Sequence, residues 1–253
     1  MSPLSISLIV FVCVFGSALL GLFLSRELPL PHQTSESRDI VRLGMGLVAT
    51  TVAVALGLLV SSAKSFYDTQ CAEVTQLAAN YVLLDRMLSH YGPEANDTRA
   101  ALRAVLAFHL NYPAATKASS QIYGDIRSGT TKGEVILDRI EALTPRDDNQ
   151  RFLKGQALSL AFQLGQTRWL MFEQNTVPVP RLLLGMLIGW LIVLFLSFGI
   201  FAPRNFTVIV GLFLAALAVC GAILLILGMY HPETGLIQVS DAPLRAALAQ
   251  LGQ

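Results

Sequence analysis

The stretch GMGLVATTVAVALGLLVSSAKS, residues 44–65, decides the fold of this chain. It holds no charged side chain before Lys64, and a helix needs a run of roughly 20 apolar residues to cross a membrane. Small and hydroxyl-bearing residues recur along it every three or four positions, so they share one face of the helix. These residues are Gly46, Thr50, Ala53, Gly57 and Ser61. Such a face either lines a path through the membrane or lets two helices pack closely.

Three other segments are as apolar as this one. The four stretches 3–25, 43–63, 182–202 and 206–230 contain no Asp, Glu, Lys, Arg or His. The whole chain of 253 residues is 53% hydrophobic and 14% charged, with a mean hydropathy of +0.57, which is far too apolar for an ordinary soluble domain. No basic residue precedes the first stretch and no clear cleavage site follows it, which argues against a signal peptide. We therefore predict four transmembrane helices in a lipid bilayer.

Most of the charge lies in one insert, residues 64–181, which carries 13 basic and 12 acidic side chains. Two apolar seams at helical spacing run through it and predict two long helices that pair. The seams are Val74, Leu77, Tyr81, Leu84 and Leu88, then Leu153, Ala157, Leu160, Leu164, Thr167 and Met171. The predicted fold is all-α. Its parts are a transmembrane hairpin at 1–63, the helical soluble insert at 64–181, a second hairpin at 182–230 and a C-terminal tail at 231–253.

Several classes of function lack the residues they require. The net charge is +1 with no basic stripe, so we expect no nucleic-acid partner. The sequence contains no catalytic motif, glycine-rich phosphate loop or metal-ligand spacing, and its four histidines are far apart. The acidic pair Asp147 and Asp148 stands where a helix begins, and helix capping accounts for it. We therefore expect no catalytic residue, metal or cofactor, and a membrane enzyme is the least favoured class.

The uncharged spans favour passive permeation over coupled transport. Coupled transporters and pumps usually place an ionisable side chain within the membrane, whereas a channel can be lined by hydroxyls, backbone and apolar groups. The small stripe continues at helical spacing to Lys64 and Asp68, which we predict at the mouth of a pore. The expected protein is a homo-oligomer that conducts monovalent ions around a symmetry axis.

The alternative is that small residues serve helix packing, as they usually do in membranes. We assign Ser17 with Gly21 and Gly185 with Gly189 to packing, and we leave the stripe of the second span open between packing and pore lining. If it only packs helices, the protein is a non-conducting scaffold or sensor whose insert binds a partner. Before the third span, the cluster Arg168, Trp169 and Glu173 is predicted to anchor the helix at the headgroups or to form a gate.

Basic residues near the spans indicate which side of the membrane holds the insert. Four lie on each side: Arg26, Arg38, Arg42 and Arg204 on one, Lys64, Arg168, Arg181 and Arg245 on the other. The first span has no Lys or Arg before it and three in the loop after it, which favours an external insert.

Several segments resemble a bacterial family of membrane proteins described as bestrophin-like. They are VRLGMGLVATTVAVALGLL at 41–59, YDTQCAEVTQLAANYVLLDRMLSHYGPEA at 67–95, LGQTRWLMFEQ at 164–174, FAPRN at 201–205 and GLIQVSDAPLRAAL at 235–248. The resemblance implies four helices with an insert between the second and third, in the inner membrane of a bacterium. It also implies an oligomeric channel lined by the second helix. Bestrophin pores have an aromatic neck and an acidic calcium site, neither of which is evident here, so selectivity and gating stay open.

Overall fold

The computed structural model describes residues 2–25, 35–111, 134–174, 181–203, 205–230 and 237–252. Within these ranges the regular structure is all helical, with eight α-helices, one short 3-10 turn and no strand. The helices are α1 Pro3–Leu24, α2 Ser35–Tyr91, α3 Asn96–Asn111, α4 Glu134–Glu141, α5 Asp148–Gln174, α6 Arg181–Phe201, α7 Phe206–Tyr230 and α8 Ala242–Gln250. The predicted all-α class is confirmed.

Four of these helices, α1, α2, α6 and α7, are long and apolar enough to cross a membrane. Their ends agree with the predicted spans to within two residues, except that α2 extends well beyond its apolar part at 43–63. Roughly 20 residues suffice to cross the hydrocarbon, so the apolar part of α2 is long enough to do so without the charged part from Asp68 to Tyr91. Residues 26–34, 112–133, 175–180, 204 and 231–236 lie outside the described residues.

The chain divides into two compact units. The first comprises Met1–Tyr67 and Pro178–Gln238, and the second comprises Asp68–Val177 and Val239–Gln253. Helix α2 contributes to both, and the C-terminal helix α8 belongs to the second unit together with the insert helices. The domain limits that we drew from the sequence, at 1–63, 64–181, 182–230 and 231–253, stay a prediction.

In the first unit, α1 packs against α6 and α7. The closest approach is at two glycines, because a Cβ on Gly199 would lie 2.1 Å from the Ala18 carbonyl oxygen and one on Gly21 would lie 2.3 Å from that of Leu196. The prediction that Gly21 serves packing is therefore correct. A Cβ on Gly185 or Gly189, by contrast, meets nothing within 4 Å, so neither glycine packs closely against a described helix of its own chain, and the packing assigned to this pair stays a prediction.

The second unit has its own aliphatic core, to which α2, α3, α4, α5 and α8 all contribute. The five seam residues predicted on α2 are all buried. On α5, Ala157, Leu160 and Leu164 are buried, while Leu153 and Met171 pack at the edge of the core. Individual residues explain where α2 ends and where α5 begins. Gly92, directly after α2, has φ +127°, a conformation that favours glycine. Asp147, directly before α5, caps that helix by accepting a hydrogen bond from the Gln150 amide at 2.6 Å.

Candidate functional site

The small stripe of α2 lies on the outside of its own bundle. All five predicted pore-lining residues, Gly46, Thr50, Ala53, Gly57 and Ser61, are exposed. A Cβ added at Gly46 or Gly57 would meet nothing within 4 Å. The stripe therefore does not pack against another described helix of the same chain.

The opposite side of α2 makes the contacts within the chain. Val52, Leu59 and Ala63 are buried in the core of the first unit. Only 11% of the residues in the most apolar part of α2 are buried, against 22% to 33% in the other three spans. Of the four spans, α2 thus leaves the most of its surface to something other than its own chain.

A third face of α2, beside the stripe, is exposed and carries large aliphatic side chains. They are Ile40, Leu43, Leu47, Val54 and Leu58, each more than 60% exposed. Large aliphatic groups are what lipid tails contact, whereas glycine, threonine and serine offer lipid little apolar surface. Helix α2 therefore has one exposed face of large aliphatic side chains, which suits contact with lipid, and beside it one exposed face of small and hydroxylated residues.

The two threonine hydroxyls in the apolar part of α2 bond back to the helix. Thr50 donates to the Gly46 carbonyl at 2.6 Å, and Thr51 donates to that of Leu47 at 3.0 Å. Such a bond satisfies the hydroxyl proton and leaves the oxygen lone pairs for an outside donor or a cation. The Thr50 oxygen is thus available on the exposed face without an unpaired donor.

The charged residues that we predicted at the mouth are both exposed on α2, Lys64 in the first unit and Asp68 at the start of the second. Near Lys64 the other side of the helix is held by aromatic residues. Ser62 and the Tyr230 hydroxyl lie 3.0 Å apart, and the rings of Phe66 and Tyr230 have centroids 5.4 Å apart. These contacts join the end of the apolar part of α2 to the C-terminal end of α7 and fix the rotation of α2 at this level.

The predicted anchor cluster on α5 is divided by the structure. Trp169 is about half exposed and Glu173 is exposed, but Arg168 is half-buried within the second unit. Its guanidinium contacts Nε2 of His109, whose Nδ1 lies 2.7 Å from the Val105 carbonyl. Nδ1 therefore carries the proton, and Nε2 accepts from Arg168.

Arg168 also donates a hydrogen bond to the buried hydroxyl of Tyr81. Burial raises the pKa of Tyr81, although the charge and hydrogen bond of Arg168 oppose that rise. Arg168 thus links α2, α3 and α5 through the buried Tyr81 and the half-buried His109. This role goes beyond the predicted anchor or gate, and no local pattern indicates it because His109 is 59 residues away.

A second buried polar site was not predicted. Arg99 binds the Asp85 carboxylate with two hydrogen bonds of 2.8 and 2.9 Å, and the Gly252 amide donates to the same carboxylate at 3.2 Å. Burial raises the pKa of Asp85, but these hydrogen bonds and the charges of Arg99 and Arg103 outweigh it, so the pKa lies below its ordinary value. The carboxylate therefore holds α2, α3 and the residues after α8 together.

The described residues contain no group of three or more His, Cys, Asp or Glu that could hold a metal ion. The family model of the Bestrophin-like domain matches residues 12–244. The chain belongs to the Bestrophin-like family. No curated protein and no solved structure matches it. With four apolar helices, this Bestrophin-like chain is a multi-pass membrane protein.

Proposed function

We propose that this Bestrophin-like protein is a homo-oligomeric passive channel for monovalent ions, with the second helix of each subunit lining the pore. It would act without catalytic residues or cofactor. We place it in a bacterial inner membrane with its insert on the external side.

One observation carries the proposal: the small, hydroxylated stripe of α2 faces outward, away from the packed side of its own chain. If it met lipid, the protein would lose the apolar contact that the neighbouring aliphatic face makes. If α2 surrounds an axis, the same stripe exposes hydroxyl oxygens and backbone to water while the aliphatic face meets lipid or a neighbouring subunit. A ring of identical subunits turns one such stripe into a closed path.

The charges support passive conduction. The four spans contain no ionisable Asp, Glu, Lys, Arg or His, so there is no intramembrane group for a coupling proton or ion to neutralise. Lys64 and Asp68 lie beyond the apolar part of the stripe and would form rings of opposite charge at the mouth. Their opposite signs leave the choice between anions and cations to experiment.

The direct test is flux through liposomes that contain the purified full-length protein. We expect electrodiffusive flux of chloride, potassium or sodium that needs no coupled gradient. Absence of flux for all three ions, with and without calcium, at acid, neutral and alkaline pH, would refute the channel.

Two substitutions separate the channel from a non-conducting scaffold or sensor. Thr50→Leu and Ser61→Leu fill the proposed path, so conductance should fall or change selectivity while the oligomer stays assembled. Val54→Leu, on the neighbouring aliphatic face, is the matched control and should leave conductance unchanged. If Thr50→Leu and Ser61→Leu instead dissociate the oligomer, the stripe is a packing seam and the scaffold interpretation is correct.

A further inference from the structure

The first unit holds helix α2 unevenly along its length. Of the described residues from Asp39 to Leu58, only Val52 is buried, whereas Leu59 and Ala63 are both buried in the core of the unit. Leu58, directly before this point, is 67% exposed. The firmest contacts of the apolar part of α2 with its own chain therefore begin at Leu59.

A polar and aromatic contact joins α2 to α7 directly after this point, within the first unit. The hydroxyls of Ser62 and Tyr230 lie 3.0 Å apart, and the rings of Phe66 and Tyr230 have centroids 5.4 Å apart at an angle of 32°. Within residues 43–63, all of which the structure describes, only Ser62 shares a hydrogen bond with another helix. A hydrogen bond depends on direction, so this contact constrains the rotation of α2 more sharply than apolar packing does.

Tyr230 has firmer support than the helix that it contacts. It ends α7, where Ile226 and Leu227 are buried with 1% and 2% of their surface exposed. Beside them, a Cβ on Gly228 would lie 3.9 Å from the Ile237 side chain, so the chain beyond α7 returns to this end of the helix. The contact therefore holds α2 against a well-packed partner.

Helix geometry shows what this contact decides. Leu58 precedes Ser61 by three residues, so these two exposed side chains point about 60° apart around the helix. A rotation of α2 by that angle would bring Leu58 to the side that Ser61 occupies. The Cα of Ser62, at a radius of about 2.3 Å, would move by about the same distance, and its hydroxyl would move farther. The hydrogen bond to Tyr230 would be lost in that rotation, and it therefore favours the orientation seen in the structure.

We propose that Tyr230 is a positioning residue of the channel, which holds α2 at the rotation that turns Ser61, rather than Leu58, toward the path. This inference rests on the proposed function, because the channel gives the two faces of α2 different roles. A small hydroxylated residue leaves room and an oxygen for a hydrated ion, whereas leucine narrows the path and offers no polar atom. Tyr230 thereby acts on conduction through Ser62 and Phe66.

The test measures how fast single cysteines react with a charged, membrane-impermeant thiol reagent in proteoliposomes of the full-length protein. Ser61→Cys and Leu58→Cys are made separately in a background without native cysteines, and mass spectrometry follows the modified fraction. That background carries Cys13→Ala, Cys71→Ser and Cys220→Ala. We expect Ser61→Cys to react faster than Leu58→Cys. Tyr230→Phe removes only the hydroxyl and should lower the ratio of the two rates about 2- to 10-fold, the effect of one net hydrogen bond on an equilibrium.

Two further variants show whether the hydroxyl acts through its partner. Ser62→Ala should lower the ratio by the same factor, and the double variant with Tyr230→Phe should lower it no further, since both changes remove the same hydrogen bond. Tyr91→Phe is the matched control, because the Tyr91 hydroxyl is buried in the second unit and has no hydrogen-bond partner among the described residues. It should leave the ratio unchanged.

Two results would overturn the positioning role. One is an unchanged ratio in Tyr230→Phe, and the other is a double variant in which the effects of Ser62→Ala and Tyr230→Phe multiply. Ion flux on the same proteoliposomes keeps the two proposals apart. Flux with an unchanged ratio refutes only the role of Tyr230, whereas a lowered ratio in vesicles without flux refutes only the channel and leaves Tyr230 as a residue that sets the rotation of α2.

Discussion

Removal of the Asp85 carboxylate is expected to be the most damaging single change in the second unit. Its side chain is 6% exposed and that of Arg99 is 16% exposed, so both charges depend on each other rather than on water. Asp85→Ala leaves the guanidinium without its carboxylate and removes the acceptor of the Gly252 amide. Breaking a buried ion pair costs about 3 to 5 kcal/mol. For a chain of this size, that cost lowers the unfolding midpoint by roughly 10 °C.

The assay is thermal unfolding of the full-length protein in detergent, followed by circular dichroism. Asp148→Ala is the matched control, because Asp148 pairs with Arg151 at 2.8 Å but both side chains are more than 70% exposed. Such exposed pairs contribute less than about 1 kcal/mol, so the control should move the midpoint by no more than a few degrees. If Asp85→Ala and Asp148→Ala shift the midpoint equally, the reasoning about burial is wrong.

Three further predictions concern the acid stability of Asp85, the helix crossing at Gly199 and the contacts of Arg168. The pKa of Asp85 is lower in the folded protein, so the stability that its charge provides is fully present above pH 3.8 and is lost as pH falls through the folded pKa. In unfolding curves recorded at a series of pH values, Asp85→Asn should therefore lose less stability on acidification than the unchanged protein. Gly199→Ala should destabilise the protein by about 1 to 3 kcal/mol, since its Cβ would overlap the Ala18 carbonyl oxygen, whereas Gly185→Ala should show no loss; equal effects contradict the helix crossing. Arg168→Met should destabilise the protein by about 1 to 3 kcal/mol because the buried Tyr81 hydroxyl and the half-buried His109 ring lose their partner, and an unchanged midpoint contradicts this.

The spans and the insert seams could be predicted because their signals are local. An uncharged run of roughly 20 residues meets the requirement of the bilayer without reference to any other segment. The apolar spacing of Val74, Leu77 and Tyr81 likewise fixes which side of α2 is buried, and the structure buries all three. A signal within one helix, run length for the spans and apolar spacing for the seams, was sufficient for both predictions.

The role of each small residue could not be predicted, since it depends on where helices cross. Gly185 and Gly189 form a packing motif in sequence but meet no described neighbour, whereas Gly199, which has no such partner motif, makes the tightest contact of α6. The sequence left the α2 stripe open between packing and pore lining. The structure excludes packing of the stripe against the described helices of its own chain. The stripe therefore faces lipid, a second chain or a water-filled path.

The buried polar contacts could not be predicted because their partners are distant in sequence. Arg99 lies 14 residues from Asp85, and the Gly252 amide lies 167 residues from it. The sequence singles out Arg168 only by its position before the third span, and its partner His109 lies 59 residues away. A charged residue in a mostly apolar helical segment signals a partner, but only the fold identifies it.

The most direct test of the central claim is the reaction of single cysteines on α2 with a charged, membrane-impermeant thiol reagent in proteoliposomes. In a background of Cys13→Ala, Cys71→Ser and Cys220→Ala, which lacks native cysteines, Thr50→Cys, Gly57→Cys and Ser61→Cys should react and block flux. Leu47→Cys and Leu58→Cys on the aliphatic face should not. If the stripe positions are unreactive while the protein conducts ions, or if both faces react equally, α2 does not line the path.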